Sequence, residues 1–148
     1  MTNLTPNFTV EEFTTSETAA RKGINNVPHH NSQEHKNMIR TAELMEKVRS
    51  ILGDKPILIS SGYRSPSVNA AVGGSKNSAH MSALAVDFIC PSFGTPLAIC
   101  KTLELYMKDL GIDQLIHEYG TWVHLGLRDP PRHQTLTIDN KGTRNGFT

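Results

Sequence analysis

Three side chains in this sequence have the types and spacing to hold one metal ion: His80, Asp87 and His124. The first two lie in Ser78-Ala-His80-Met-Ser-Ala-Leu-Ala-Val-Asp87-Phe88, the third in Trp122-Val-His124-Leu. Two imidazole nitrogens and one carboxylate oxygen suit a divalent cation, zinc before magnesium, with copper and nickel as competitors in vitro. Three protein ligands leave a fourth position open to water, as in a catalytic rather than a structural zinc site. Taken singly, each residue also reads as ordinary, His80 and His124 as plain histidines and Asp87 as a turn carboxylate. Their neighbours carry the distinction.

The elements around them are those a site needs. Period-two alternation places His124 on one strand face with Trp122 and Gly126, and turns Val123, Leu125 and Leu127 toward a core. Asp87 falls in a strand expected over Leu84–Ile89, with Ala83 and Ala85 on its face, while His80 lies in a turn-rich stretch. Thr9 and Glu12 form a capping-box pattern that opens a short helix, with a further helical turn over Thr14–Lys22 stopped by Gly23. Met38, Ala42, Met45, Val48 and Leu52 recur at helical steps, predicting a helix over Gln33–Leu52. Pro56–Ser60 reads as a buried strand, and Pro96–Leu110 as the last helix, ended by Gly111. Gln114–Glu118 and Trp122–Leu127 flank a three-residue hairpin loop at Tyr119-Gly120-Thr121, with glycine taking the positive φ. His133–Ile138 is expected as an edge strand. The pattern is α+β, helices packed on a mostly antiparallel sheet, in a single domain over residues 1–148.

Ser60-Ser-Gly-Tyr-Arg64-Ser-Pro-Ser-Val-Asn69, then Gly73-Gly74, then Ser78, His80, Ala85 and Asp87, then Trp122-Val-His124 follow one another in order. Together they resemble the zinc D-alanyl-D-alanine carboxypeptidase family, peptidase family M15, and within it the small phage and prophage peptidases that act on peptidoglycan. The resemblance implies that His80, Asp87 and His124 bind zinc and that Arg64 holds substrate and developing negative charge. Two positions depart from the family pattern. Ala83 stands where glycine is usual, and Thr121 stands where many relatives carry the catalytic acid, three residues before the last histidine. The nearest carboxylate is Glu118, six residues before His124, an offset also found in the related hedgehog signalling domain. Glu118 is therefore the expected general base, with Ser78 and Trp122 as further substrate-binding residues. His117 falls on the opposite strand face and reads as structural. His29, His30 and His35 read as loop and helix-surface residues.

Composition narrows the class of function. Of the 148 residues 37% are hydrophobic and 20% charged, which suits a globular rather than a disordered chain. A net charge of +1 without a basic block argues against a dedicated nucleic-acid binder. No run reaches the roughly 18–20 apolar residues of a membrane span, and the N-terminus has no secretory signal pattern. The expected life history is synthesis in a host cytoplasm as a monomer, followed by release to act on the cell wall. No separate wall-binding module is visible, so affinity for the wall is expected in the catalytic domain. Cys90 and Cys100 are too few for a disulfide scaffold and read as buried thiols.

The resulting expectation is a zinc peptidase that cuts a stem-peptide or cross-bridge bond, as a phage or prophage endolysin or a virion-associated enzyme. Carboxypeptidase and endopeptidase action both remain open. The alternatives are a non-hydrolytic zinc-containing binding module of the same fold, and a structural α+β protein of a virion.

Overall fold

The structure is a computed structural model that describes residues 2–148. It divides into two compact units, one running through Glu46 together with Ile59–Val86, the other Lys47–Leu58 with Asp87–Thr148.

In the first unit, capping chemistry sets the short helices. Thr9 opens α1 (Val10–Thr14): its hydroxyl accepts from the Glu12 amide at 3.2 Å, and the Glu12 carboxylate accepts from the Thr9 amide at 3.0 Å. The expected helical run over 14–22 is broken at Thr15, which is extended, and α2 (Glu17–Lys22) starts afresh from Ser16. The Ser16 hydroxyl accepts from the Ala19 amide at 3.1 Å, so it favours a new cap over helix interior. Asn3–Thr5 (β1) and Phe8–Thr9 (β2) pair as a small antiparallel ribbon that the sequence pattern did not predict. Helix α3 (Gln33–Ile51) contributes to both units, and its Met38, Ala42, Met45 and Val48 are fully buried, as is Leu52 just beyond it. Strand β3 (Leu58–Ser61) differs from the buried strand expected: it alternates exposed and half-exposed residues, with Leu58 53% exposed. Helix α4 (Pro66–Ala71) was not anticipated; Ser65 caps it and Pro66 sits in its first turn.

In the second unit, α5 (Pro96–Glu104) starts at a Thr95 cap and α6 (Met107–Leu110) ends at Gly111, φ 69°. A single helix to Leu110 was expected. Instead the Leu105 amide bonds the Thr102 carbonyl and the Tyr106 amide that of Leu103, a tightened last turn that releases the chain. Strands β5 (Gln114–Glu118) and β6 (Trp122–Gly126) are antiparallel, and both Tyr119 (φ 55°) and Gly120 (φ 65°) in their loop are left-handed. Strand β7 (Gln134–Asp139) pairs in parallel with β5 and antiparallel with β8 (Gly142–Asn145). It is therefore an inner strand, not the edge strand expected. A parallel neighbour requires a crossover rather than a hairpin; the connection from β5 to β7 runs through β6 and then residues 127–133. Asp113 pins that segment, its carboxylate accepting from the Arg132 amide, Nε and Nη2 at 2.8, 2.9 and 2.7 Å.

With β4 (Ala85–Ile89), the strands form a six-stranded, mostly antiparallel sheet in the order β3-β4-β6-β5-β7-β8. The fold is α+β.

Candidate metal centre

His80 sits in a short 3₁₀ turn, Ala79–Ser82, whose cap Ser78 accepts a hydrogen bond from the His80 amide at 3.2 Å. The turn closes at Ala83 with φ 59°, a left-handed conformation in which glycine is the unstrained residue. Ala83 is thus the cap of the turn and not a strand residue sharing a face with Asp87, as alternation had suggested. Helix α3 holds the turn in place. Asn37 Nδ2 donates to the Ser82 carbonyl at 2.9 Å, and the fully buried Thr41 donates to the Ala83 carbonyl at 2.7 Å.

His80 is 3% exposed, and its Nδ1 lies 2.7 Å from the Gly62 carbonyl. A carbonyl can only accept, so the proton belongs on Nδ1 and the lone pair on Nε2, the tautomer a metal ligand needs. Gly62 is glycine for space: a Cβ there would lie 2.6 Å from the Phe13 carbonyl oxygen and 2.9 Å from its Cα. The next two residues fix the segment on both sides. The Tyr63 amide donates to the Phe13 carbonyl at 2.7 Å, and the Arg64 amide to the His80 carbonyl at 3.0 Å.

In the second unit, Asp87 is buried on β4 and its Oδ1 lies 2.9 Å from His124 Nδ1. Glu118 Oε1 lies 3.7 Å from the same nitrogen. The register explains this grouping, since Ile116 opposes His124 and Glu118 opposes Trp122, placing Glu118, Trp122 and His124 on one face. His117 opposes Val123 on the other face. Trp122 is half-buried, with its ring centroid 5.6 Å from that of Tyr119.

One ligand-type atom from each of His80, Asp87 and His124 lies within 4.8 Å of the others. Donors about 2.0–2.1 Å from a tetrahedral zinc ion stand about 3.3 Å apart, and the His124 and Asp87 donor atoms, 2.9 Å apart, lie near that spacing. The donor chemistry fits as well, with two imidazoles and one carboxylate. Among the described residues no second cluster of three such groups occurs; the His30 and His35 rings are tilted against each other with centroids 4.8 Å apart but lack a third partner of this kind.

Arg64 is half-buried, its Nε donating to Ser61 Oγ at 3.2 Å and its Nη1 to Asn69 Oδ1 at 3.4 Å. It borders a cavity of about 300 Å³ together with Glu17, Ser60, Ser61, Tyr63 and Val68. Neither Gly62 nor Asn69 was assigned a role from sequence. Their contributions are a backbone carbonyl and a bracing amide, and the only signal was their membership in the Ser60–Asn69 motif.

A three-donor cluster with a carboxylate at its side has the make-up of a hydrolytic metal centre. The chain belongs to the peptidase M15 family, whose sequence profile matches residues 6–126. It is also similar to the zinc D-Ala-D-Ala carboxypeptidase of Streptomyces albus G, with 40% identity over 58 residues. That stretch is 39% of this chain and 23% of the relative, so the match spans about a quarter of the relative's length.

Proposed function

We propose that the protein is a zinc peptidase that hydrolyses a peptide bond in bacterial peptidoglycan. The observation that carries this reading is the convergence of His80, Asp87 and His124, with donor atoms within 4.8 Å of one another. His80 through Nε2, His124 through Nδ1 and Asp87 through a carboxylate oxygen are the groups that would hold the ion. When bound, zinc supplies Lewis-acid polarisation of a carbonyl and makes water more acidic.

The remaining work falls to this chain's own side chains. Glu118 takes a proton from the attacking water as the new C–O bond forms. It returns that proton to the amide nitrogen as the C–N bond breaks, leaving a carboxylate and an amine. The planar guanidinium of Arg64 offers a fork of donors to a substrate carboxylate or to the developing oxyanion. Trp122 walls the site on the His124 face, and Ser78 holds the turn that carries His80. The position of Glu118, 3.7 Å from His124 Nδ1, favours hydrolysis over a purely binding role for the same fold.

The whole chain is taken to act as one catalytic unit and as a monomer. The substrate is a stem peptide or cross-bridge, and the biological setting a phage or prophage enzyme that reaches the wall after release from the cytoplasm. The match to a zinc D-Ala-D-Ala carboxypeptidase supports a cell-wall peptide as substrate. Incubation with purified peptidoglycan fragments, with and without a chelator, followed by mass analysis of the products, tests the reading. Expected is a chelator-sensitive gain of one water across one peptide bond. Unchanged fragments with the zinc-loaded protein would overturn it.

A further inference from the structure

We propose that Asn69 is a positioning residue for Arg64, and that Gly74 is glycine in order to leave the Asn69 amide where Arg64 needs it. The inference rests on the reading of Arg64 as the substrate clamp and extends it to a residue pair that the motif contains but the mechanism has not used.

Asn69 lies in α4 and is only 3% exposed, so each end of its amide needs a partner. Its Nδ2 donates to the Ser75 carbonyl at 2.9 Å. A carbonyl cannot donate, so that bond fixes which end of the amide is oxygen and turns Oδ1 toward Arg64 Nη1, at 3.4 Å. Ser61 Oγ accepts from Arg64 Nε at 3.2 Å. The two contacts reach two different nitrogens of one planar group, which restricts both its tilt and its rotation. Both acceptors are neutral. Neither of these two contacts offsets the guanidinium charge, whereas an aspartate at position 69 would pair with it.

The loop after α4 is shaped around this amide. Gly73 has φ 72° and needs glycine for its backbone, but Gly74 has no such conformation. What Gly74 lacks is room. A Cβ there would overlap Asn69 Oδ1 and lie 2.8 Å from Cγ and 3.1 Å from Nδ2. The Gly74 amide also donates to the Asn69 carbonyl at 2.9 Å, so the loop cannot lift away without losing a bond. A side chain at 74 must therefore displace the amide that braces Arg64.

A double-mutant cycle separates this from a general structural role. The probe is a peptidoglycan fragment cut by the zinc-loaded protein, with kcat, KM and zinc content measured for Arg64→Ala, Asn69→Ala, the pair, and Gly74→Ala. Asn69→Ala is expected to lower kcat/KM by about 10- to 100-fold, as for a misplaced catalytic group, with zinc content unchanged. In the Arg64→Ala background the same change is expected to cost less than about twofold, because the two residues act as one. Gly74→Ala, which retains Asn69, should reproduce the loss and serves alone if Asn69→Ala does not fold. Equal losses in both backgrounds, loss of zinc, or full activity in Gly74→Ala would overturn the inference. A silent Arg64→Ala would instead remove the clamp reading on which it stands.

Discussion

Glu118 and His80 show how much of the proposed chemistry depends on single atoms. Glu118→Gln keeps the size of the side chain but cannot take a proton, so kcat is expected to fall by about 10²- to 10⁴-fold, with zinc content unchanged; steady-state kinetics alongside metal analysis checks both. For His80 the decisive partner is a carbonyl, that of Gly62 at 2.7 Å. Gly62→Ala drives a methyl group into the Phe13 backbone, shifts that carbonyl and is expected to weaken zinc binding by about 10- to 100-fold, the usual cost of losing an outer partner. A competition titration with a zinc indicator would measure it. At this scale the sequence was informative about residue type: the histidines, Asp87 and Glu118 stood out by spacing and motif. It was silent on the tautomer of His80 and on the brace of Arg64, because a backbone carbonyl and a buried amide leave no distinctive pattern in the chain.

At the level of elements, the site depends on α3 gripping the His80 turn. The Thr41 hydroxyl lies 2.7 Å from the Ala83 carbonyl in a fully buried position. Thr41→Val keeps the shape and removes the donor, so the carbonyl is left without that partner and the protein is expected to lose about 1–3 kcal/mol. Chemical denaturation would read this directly. Helix α3 was itself legible, since five apolar residues at helical spacing are all buried. The β5–β6 hairpin was legible for a similar reason, its alternation and its loop both being local signals. Helix α4, at six residues, is too short to show a period. The parallel pairing of β7 with β5 is a long-range choice that the local pattern of 134–139 cannot carry; the Asp113–Arg132 clamp on the segment before β7 joins residues 19 apart in sequence.

For the molecule as a whole, acid stability and metal dependence are the measurable consequences. Burial alone would raise the Asp113 carboxyl, but the hydrogen bonds and charge of Arg132 outweigh it and hold the group below its ordinary value. Asp139 is lowered to about 2, first by Arg144 and then by the Lys141 amide. A carboxylate depressed in the folded state adds stability above its unfolded pKa of about 3.9, and that contribution disappears as pH falls through the folded value. Stability is therefore expected to decline below about pH 4, and Arg132→Met should flatten that decline in denaturation curves recorded across the acid range. Cys90 and Cys100 are buried as free thiols, and burial, aided by Glu104, pushes Cys100 up to about 12. Chelation is expected to abolish hydrolysis and lower the melting temperature, because a ligand that binds only the folded state stabilises it by mass action, and added zinc should restore both. The most direct measurement is anomalous X-ray diffraction at the zinc absorption edge from crystals of the zinc-loaded protein. A single peak about 2.0–2.1 Å from His80 Nε2, His124 Nδ1 and an Asp87 carboxylate oxygen is expected; no peak at that point, or zinc bound only elsewhere, would contradict the assignment of this centre.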